Sequence, residues 1–84
     1  DNPAIYRARG DLYLTQGITG SAIGDYEKAV KLGDNSPEIW YRLGIAYASY
    51  GNTHESLKCL KKALEINSNF VQAHLFAGQV LNKR

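Results

Sequence analysis

The sequence predicts an all-α fold in which antiparallel helix hairpins stack side by side into a solenoid. One observation is an internal repeat, because a shift of 34 positions aligns nine identical residues between residues 3–36 and 37–70 of the 84-residue chain. Roughly two identities are expected by chance at average residue frequencies. A second observation is that signals for helix starts and stops recur at the same places in both copies. In addition, no segment alternates polar and apolar residues for long enough to predict a β-strand.

The repeat divides the chain into two complete units and the first part of a third. The complete units are 3–36 and 37–70, and the partial unit is 71–84. The identical pairs are spread over the whole unit: Pro3 with Pro37, Ile5 with Ile39, Gly10 with Gly44, Tyr13 with Tyr47, Gly17 with Gly51, Thr19 with Thr53, Lys28 with Lys62, Ala29 with Ala63 and Asn35 with Asn69. Because this length lies near the lower limit for one hydrophobic core, we expect a single domain over 1–84.

The first helix of each unit begins at a proline that follows a capping residue. Asn-Pro stands at 2–3 and Ser-Pro at 36–37. Asn and Ser side chains cap helix N-termini, and proline suits the first helical position. Glycine favours the conformation that ends a helix, so Gly17 and Gly51 predict where the first helices stop.

The second helix of each unit starts shortly after that glycine. In the second unit, Asn52-x-x-Glu55 resembles a capping box, in which two side chains accept hydrogen bonds from each other's backbone N–H groups. In the first unit, Gly20 and Gly24 predict a loosely packed helix start rather than a phosphate-binding loop, because no strand precedes them. The partial unit adds one helix. The five predicted helices lie near 3–16, 19–32, 37–50, 53–66 and 70–83.

Large side chains surround a glycine on one face of the helix at 37–50. With helical periodicity, one arc of this helix carries Trp40, Leu43, Gly44 and Tyr47. Gly44 has no Cβ, so the second helix can approach closely there. The small residues Ser56 and Ala63, which flank Leu60, are expected to face it. The closer packing offsets the ~1 kcal/mol that glycine costs inside a helix.

The period and the spacing together resemble the tetratricopeptide repeat. The resemblance rests on Trp40-x-x-Leu43-Gly44-x-x-Tyr47, followed by Leu60 and Ala63, within a period of 34 residues. The residues at the signature positions are Tyr6, Gly10, Tyr13, Ala29, Trp40, Leu43, Gly44, Tyr47, Leu60, Ala63 and Gly78. The resemblance implies a right-handed superhelix in which the first helices of successive units line a concave groove.

The sequence departs from the repeat signature at several positions. Arg9 replaces the usual leucine of the first unit, and Ser56 replaces the usual alanine of the second. Asp34 and Ser68 stand where the family has a late proline. His74 occupies a position that the family fills with a large apolar residue, and we interpret it as a half-buried packing residue.

Catalytic and metal-binding chemistry finds little support in the sequence. The histidines His54 and His74 are 20 residues apart, and neither lies at a short fixed spacing from Cys59. No His-x-x-x-His or Cys-x-x-Cys pair occurs, although such spacings are typical of metal sites. We therefore expect no enzymatic activity, no metal and no cofactor. His54 is interpreted as a solvated residue at a helix start.

Composition also weighs against nucleic acid and membrane partners. The net charge is only +2, and the lysines of the second helices alternate with glutamates, which is typical of a solvated mixed face. Equivalent positions of the first helices do not repeat the side-chain pairs with which helical repeats read RNA bases. No apolar run approaches the ~18 residues of a membrane-spanning helix. The single cysteine, Cys59, favours a reducing compartment, so a cytoplasmic location is expected.

The remaining class of function is binding of a protein or a peptide. By repeat equivalence, the first helices carry a second stripe that would line the concave groove: Arg7, Asp11, Leu14, Tyr41, Arg42, Ile45, Leu75, Phe76 and Gln79. Aromatic residues and arginine dominate binding hot spots. Asp11 is expected to neutralise Arg7 in part and to leave Arg42 as the freer cation. The predicted ligand therefore carries one acidic residue beside large apolar ones. The alternative is that Ile45 and Leu75 only pack against neighbouring units.

One subtype of the family binds the acidic C-terminus of chaperones through a clamp of lysine, asparagine and arginine residues. At the matching places this chain has Arg7, Asp11, Arg42, Gln72 and Phe76. Of these five residues, only Arg7 has the charge that the clamp residue at the matching position carries. Asp11 would repel a carboxylate, so this ligand is not expected.

A second reading of the function is structural. The chain contains no Met and begins "DNPAIYR", so we expect it to be part of a longer protein. It would then be a segment of a longer superhelix or a self-association module. The last helix carries Val71, His74, Leu75 and Phe76 on more than one side. Because terminal repeats need a polar outer face, this helix is expected to self-associate as a homo-oligomer or to lie beside further repeats.

Overall fold

The computed structural model describes residues 2–82, which form five α-helices. These are α1 (Pro3–Thr15), α2 (Thr19–Lys31), α3 (Pro37–Tyr50), α4 (Thr53–Ile66) and α5 (Val71–Asn82). The predicted bounds agree with these helices to within one residue, and the predicted end at 83 lies outside the described residues. No strand occurs within 2–82, so the predicted all-α solenoid of helix hairpins is confirmed.

The predicted caps set the starts of the first helices. The Asn2 side chain accepts a hydrogen bond of 2.9 Å from the backbone N–H of Ala4. Ser36 Oγ accepts one of 3.4 Å from the N–H of Ile39. A proline follows each cap at the first helical position. Because of these local signals, α1 and α3 begin at equivalent positions of the two units.

The second helices start differently in the two units. Asn52 Oδ1 accepts a hydrogen bond of 3.2 Å from the N–H of Glu55, but the Glu55 carboxylate lies 3.7 Å from Lys58 Nζ. Half of the predicted capping box is therefore formed. The residue before α2 is Ile18, whose side chain caps nothing. A Cβ atom added at Gly20 would lie 3.8 Å from the ring of Tyr50, and one added at Gly24 would meet nothing within 4 Å, which agrees with the predicted loose packing at this start.

The helices bury two neighbouring core clusters. Helices α1 and α2 form one hairpin and α3 and α4 the next, while α2 packs on α3 and α5 packs on α4. The first cluster includes Tyr26 and Ile39, and the second includes Leu60 and Phe70. Trp40 contacts both clusters. The core is therefore continuous along the stack.

Glycine marks the point of closest contact within each hairpin. A Cβ atom added at Gly44 would lie 2.8 Å from Leu60 Cγ and 3.3 Å from the carbonyl oxygen of Ser56. Ser56 Oγ donates a hydrogen bond of 2.7 Å to the carbonyl of Gly44. At Gly10, a Cβ would lie 2.8 Å from the ring of Tyr26, which is the repeat equivalent of Leu60. The close approach predicted for α3 and α4 is confirmed, with Ser56 and Leu60 at the contact.

An ion pair explains the departure at Arg9. Its Nε and Nη2 donate hydrogen bonds of 2.8 and 2.9 Å to the carboxylate of Asp25, which is buried. These two residues stand at the repeat positions that Leu43 and Cys59 occupy in the second unit. An ion pair within the first hairpin thus replaces an apolar pair of the second. The Arg9 side chain remains 56% exposed.

The two histidines are both exposed, which corrects the prediction for His74. Its Nε2 lies 2.9 Å from the carbonyl oxygen of Ser68, and the side chain is not packed into the core. Its repeat equivalent, Trp40, is covered by neighbouring helices, whereas nothing in the described part of the chain covers this side of α5. The prediction of a half-buried packing residue is therefore wrong. His54 is exposed, as predicted.

Across residues 2–82, no helix combines the length and the apolar character that crossing a membrane requires.

Candidate functional site

The predicted groove residues lie on the three first helices, α1, α3 and α5. They are Arg7, Asp11 and Leu14 on α1, Tyr41, Arg42 and Ile45 on α3, and Leu75, Phe76 and Gln79 on α5. None of the nine is fully buried. The structure brings most of them together in two groups, a charged one between α1 and α3 and an uncharged one between α3 and α5.

Asp11 joins three helices in the charged group. Its Oδ2 lies 3.1 Å from Arg42 Nη1, so α1 and α3 are linked by an ion pair. Its Oδ1 accepts a hydrogen bond from the hydroxyl of Tyr26 on α2. Burial of Tyr26, reinforced by this hydrogen bond, raises the pKa of the phenol well above its usual value. The hydroxyl therefore stays protonated and remains a donor to Asp11.

Arg7 pairs with a different carboxylate. Its Nη1 lies 3.2 Å from Asp34 Oδ2, and the Asp34 side chain is only 9% exposed. The other oxygen of Asp34 accepts hydrogen bonds from the backbone N–H and the hydroxyl of Ser36. The carboxylate is thus fixed in the connection between α2 and α3.

These contacts correct the predicted electrostatics of the groove. Asp11 pairs with Arg42 rather than with Arg7, so the prediction that Arg42 is the freer cation is wrong. Both arginines reach carboxylates on other elements, which the spacing along α1 alone does not indicate. The two arginines thus pair with two carboxylates, and these pairs carry no surplus positive charge.

Aromatic rings dominate the uncharged group. The rings of Tyr41 and Phe76 pack edge to face with centroids 6.3 Å apart. Tyr41 also contacts the buried ring of Phe70, with centroids 5.0 Å apart. Leu75 beside them is 63% exposed in the described part of the chain. This part of the groove is apolar and open to solvent.

Two clefts flank Phe76 and Gln79. The larger cleft has a volume of about 470 Å³ and is lined by Ala48, Ser49, Gly51, Thr53, Phe76, Gln79 and Val80. The smaller cleft has a volume of about 290 Å³ and is lined by Tyr41, Gln72, Leu75, Phe76 and Gln79. Of the predicted groove residues, Tyr41, Leu75, Phe76 and Gln79 meet here. Leu14 instead packs on the first core cluster, and Ile45 lines neither cleft.

Five residues that line the larger cleft are not among the nine predicted groove residues: Ala48, Ser49, Gly51, Thr53 and Val80. Gly51 adopts a left-handed conformation with φ of 99°, which turns the chain sharply from α3 into α4. The turn brings the start of α4 beside α5. Helical periodicity shows which residues share a face, but not which helix ends meet across a turn. The glycine stop at the end of α3 is the signal that could have pointed to this cleft.

A third cavity, on the side away from the groove, has a volume of about 150 Å³. It lies between α2, α3 and α4, where the hydroxyl of Tyr47 donates a hydrogen bond to Glu27. Cys59 lines it, and burial, followed by the nearby carboxylates of Glu55 and Glu27, raises the pKa of this thiol to about 11. A protonated thiol is a poor nucleophile and a poor metal ligand. Within the described residues, no cluster of three His, Cys, Asp or Glu side chains is placed to bind a metal ion.

Comparison with known proteins matches this geometry to one family. Family models for the tetratricopeptide repeat match residues 3–46 and 37–70. The chain is 28% identical over 72 residues to the peroxisomal targeting signal receptor of Saccharomyces cerevisiae, covering 86% of this chain and 12% of the receptor. It is also similar to the crystal structure of MamA, with 26% identity and a TM-score of 0.93, covering 98% of this chain and 48% of that one. The chain thus spans less than half of either relative.

Proposed function

Because the chain belongs to the tetratricopeptide repeat family, we propose that it is a non-catalytic protein-interaction module. It binds a peptide or a protein surface in its concave groove and acts as a scaffold or adaptor within a larger protein. The observation that carries the proposal is the apolar group at the α3–α5 boundary, where Tyr41, Leu75 and Phe76 line clefts open to solvent. Contiguous apolar surface on a folded domain typically marks an interaction site.

The residue types in this group suit binding rather than chemistry. Aromatic side chains present a large contact area at a low cost in conformational entropy, and they are enriched in binding hot spots. The clefts contain no nucleophile paired with a base. The similar yeast protein is, by name, a receptor for a targeting signal, which supports a peptide as the ligand of the present chain.

Selection of short peptides from a random display library tests this proposal. Selected peptides would be titrated into the chain and into two groove variants, Tyr41→Ala and Phe76→Ala. We expect each variant to lower affinity about tenfold or more, since central aromatic anchors commonly contribute that much. Lys58→Glu and Lys61→Glu, on exposed positions of α4, are the matched controls and should bind normally. Peptides that lose affinity only for the lysine variants would overturn the groove assignment.

The second candidate function is self-association through α5. A Cβ atom added at Gly78 would meet nothing within 4 Å, whereas the equivalent Gly44 is pressed against a neighbouring helix. Val71 and Leu81 on the same helix are 64% and 58% exposed. Sedimentation velocity at two concentrations, for the chain and for Leu81→Glu, tests this candidate. A mass that rises with concentration only in the unmodified chain supports it, and a monomer at both concentrations refutes it.

Several partners are not part of the proposal. The charged group of the groove has no surplus cation, which argues against the acidic C-terminus of chaperones as a ligand. Nucleic acid and membrane partners are not proposed, and neither is a cofactor. We propose a cytoplasmic location, which the buried free thiol of Cys59 supports.

A further inference from the structure

We infer that this groove recognises an uncharged segment that inserts a large apolar side chain between α3 and α5. The inference rests on the proposed function and names the chemical class of its ligand. It differs from the sequence prediction, which required an acidic residue in the ligand. Three features of the structure support it: the lining of the clefts, the ion pairs beside them, and the arrangement of the aromatic rings.

The lining of both clefts is free of charge. Their walls consist of small, aromatic and aliphatic residues together with hydroxyl and amide side chains. An ionised ligand group that entered here would lose part of its hydration without gaining an opposite charge, which is unfavourable. Among the described residues, the lining therefore favours a ligand that is neutral where it touches the clefts.

The neighbouring arginines are already paired with carboxylates of the chain itself. Arg42 is held by Asp11, and Asp11 is held in turn by the hydroxyl of Tyr26. Arg7 is held by Asp34, which is nearly buried. A ligand carboxylate near either arginine would also approach the carboxylate that this arginine pairs with, and the repulsion between the two carboxylates offsets the attraction. Electrostatic complementarity therefore disfavours an acidic segment.

The aromatic rings create room for one large apolar side chain. Phe76 separates the two clefts, and its edge-to-face contact with Tyr41 fixes the wall between them. The buried side chain of Val80 forms part of the larger cleft, whose volume of about 470 Å³ falls within the usual range for ligand sites. A leucine, phenylalanine or tryptophan side chain would cover the exposed apolar surface around Phe76.

Two glutamines can bind the backbone of the same segment. Gln72 and Gln79 are exposed on the groove side of α5, and Gln79 borders both clefts. A primary amide both donates and accepts hydrogen bonds, so it can pair with the N–H and C=O groups of an extended peptide without requiring a charge. The ligand class is therefore an uncharged peptide segment anchored by one large apolar residue.

The peptides selected from a random display library provide the test. We expect them to be enriched in large apolar residues and depleted in Asp and Glu. Their affinity should change less than about twofold between roughly 0.05 and 0.5 M NaCl, because no exposed charge pair contributes. Phe76→Ala should lower affinity about tenfold, and the control Lys61→Glu on α4 should leave it within about twofold of the unmodified chain.

Failure of the inference and failure of the proposed function give different results. Acidic peptides that lose affinity for both Phe76→Ala and Arg7→Gln would overturn the inference but keep the groove as the binding site. A strong weakening of peptide binding by salt would also overturn the inference while keeping the groove as the binding site. Peptides that bind Phe76→Ala and Tyr41→Ala normally would overturn the proposed function, and a library that yields no binding peptide would overturn both.

Discussion

Replacing Gly44 by alanine adds one carbon atom at the place where α3 and α4 touch. The new Cβ would lie 2.8 Å from Leu60 Cγ and 2.9 Å from Leu60 Cδ2. Ordinary carbon–carbon contacts lie near 3.5–4.0 Å, so the atoms must separate by about 1 Å. Leu60 is fully buried and cannot turn into solvent. The two helices must therefore move apart or the leucine must leave its rotamer.

The expected cost follows from three contributions. Overpacking of this kind costs about 2 kcal/mol. Separation of the helices also stretches the 2.7 Å hydrogen bond from Ser56 Oγ to the Gly44 carbonyl, which contributes about 1 kcal/mol. Alanine recovers about 1 kcal/mol through its higher helix propensity. The net loss is therefore about 2 kcal/mol, which for a domain of this size lowers the melting temperature by about 8–16 °C.

Thermal and urea unfolding, followed by circular dichroism, measure this loss, and Gly78→Ala is the matched control. Gly78 occupies the equivalent position of α5, but a Cβ there meets nothing within 4 Å. The same substitution should therefore stabilise the chain by about 0.5–1 kcal/mol through helix propensity alone. If both alanine variants melt at or above the temperature of the unmodified chain, the close contact between α3 and α4 is not as described.

Three further outcomes are expected. Tyr41→Ala should weaken the binding of a selected peptide by about 1–3 kcal/mol, measured by calorimetric titration, while the control Lys61→Glu should bind normally. Equal losses of binding free energy in the two variants would contradict the groove as the binding site. Arg42→Glu should lose about 1 kcal/mol of unfolding free energy in urea unfolding, since it places a carboxylate against Asp11, whereas Arg42→Gln, which adds no like charge, should lose less. The pKa of the Cys59 thiol is raised from 9.0 to about 11 in the folded chain, so its contribution to stability is complete below pH 9 and is lost as the pH rises toward 11. Urea midpoints across this range should therefore fall less in Cys59→Ala than in the unmodified chain, and equal slopes would refute the assignment.

The sequence predicted the helices well because local interactions fix where they begin. Asn2 and Ser36 cap the helices that the following prolines start, and each contact spans only two or three residues. The contact of Gly44 with Leu60 was also predictable, because it recurs with the period of the repeat. Signals of this kind do not depend on the distances between distant parts of the chain.

The electrostatics of the groove could not be predicted in the same way. The carboxylate of Asp11 and the guanidinium of Arg42 are 31 positions apart in sequence, and their contact depends on how closely α1 and α3 approach. The ion pair of Arg9 with Asp25 likewise joins two elements. His74 was misjudged because its burial requires a helix beyond α5, and periodicity within α5 carries no information about that neighbour.

The fluorescence of Trp40 can report whether the two repeat units unfold together. It is the single tryptophan, and it contacts both core clusters at the junction of the two units. In a repeat protein, neighbouring units unfold together when the interface between them is strong. Indole emission monitors that junction, whereas circular dichroism averages over every helix. Coincident denaturation curves from the two signals would identify one cooperative transition, and an earlier change in emission would identify the junction as the first part to open.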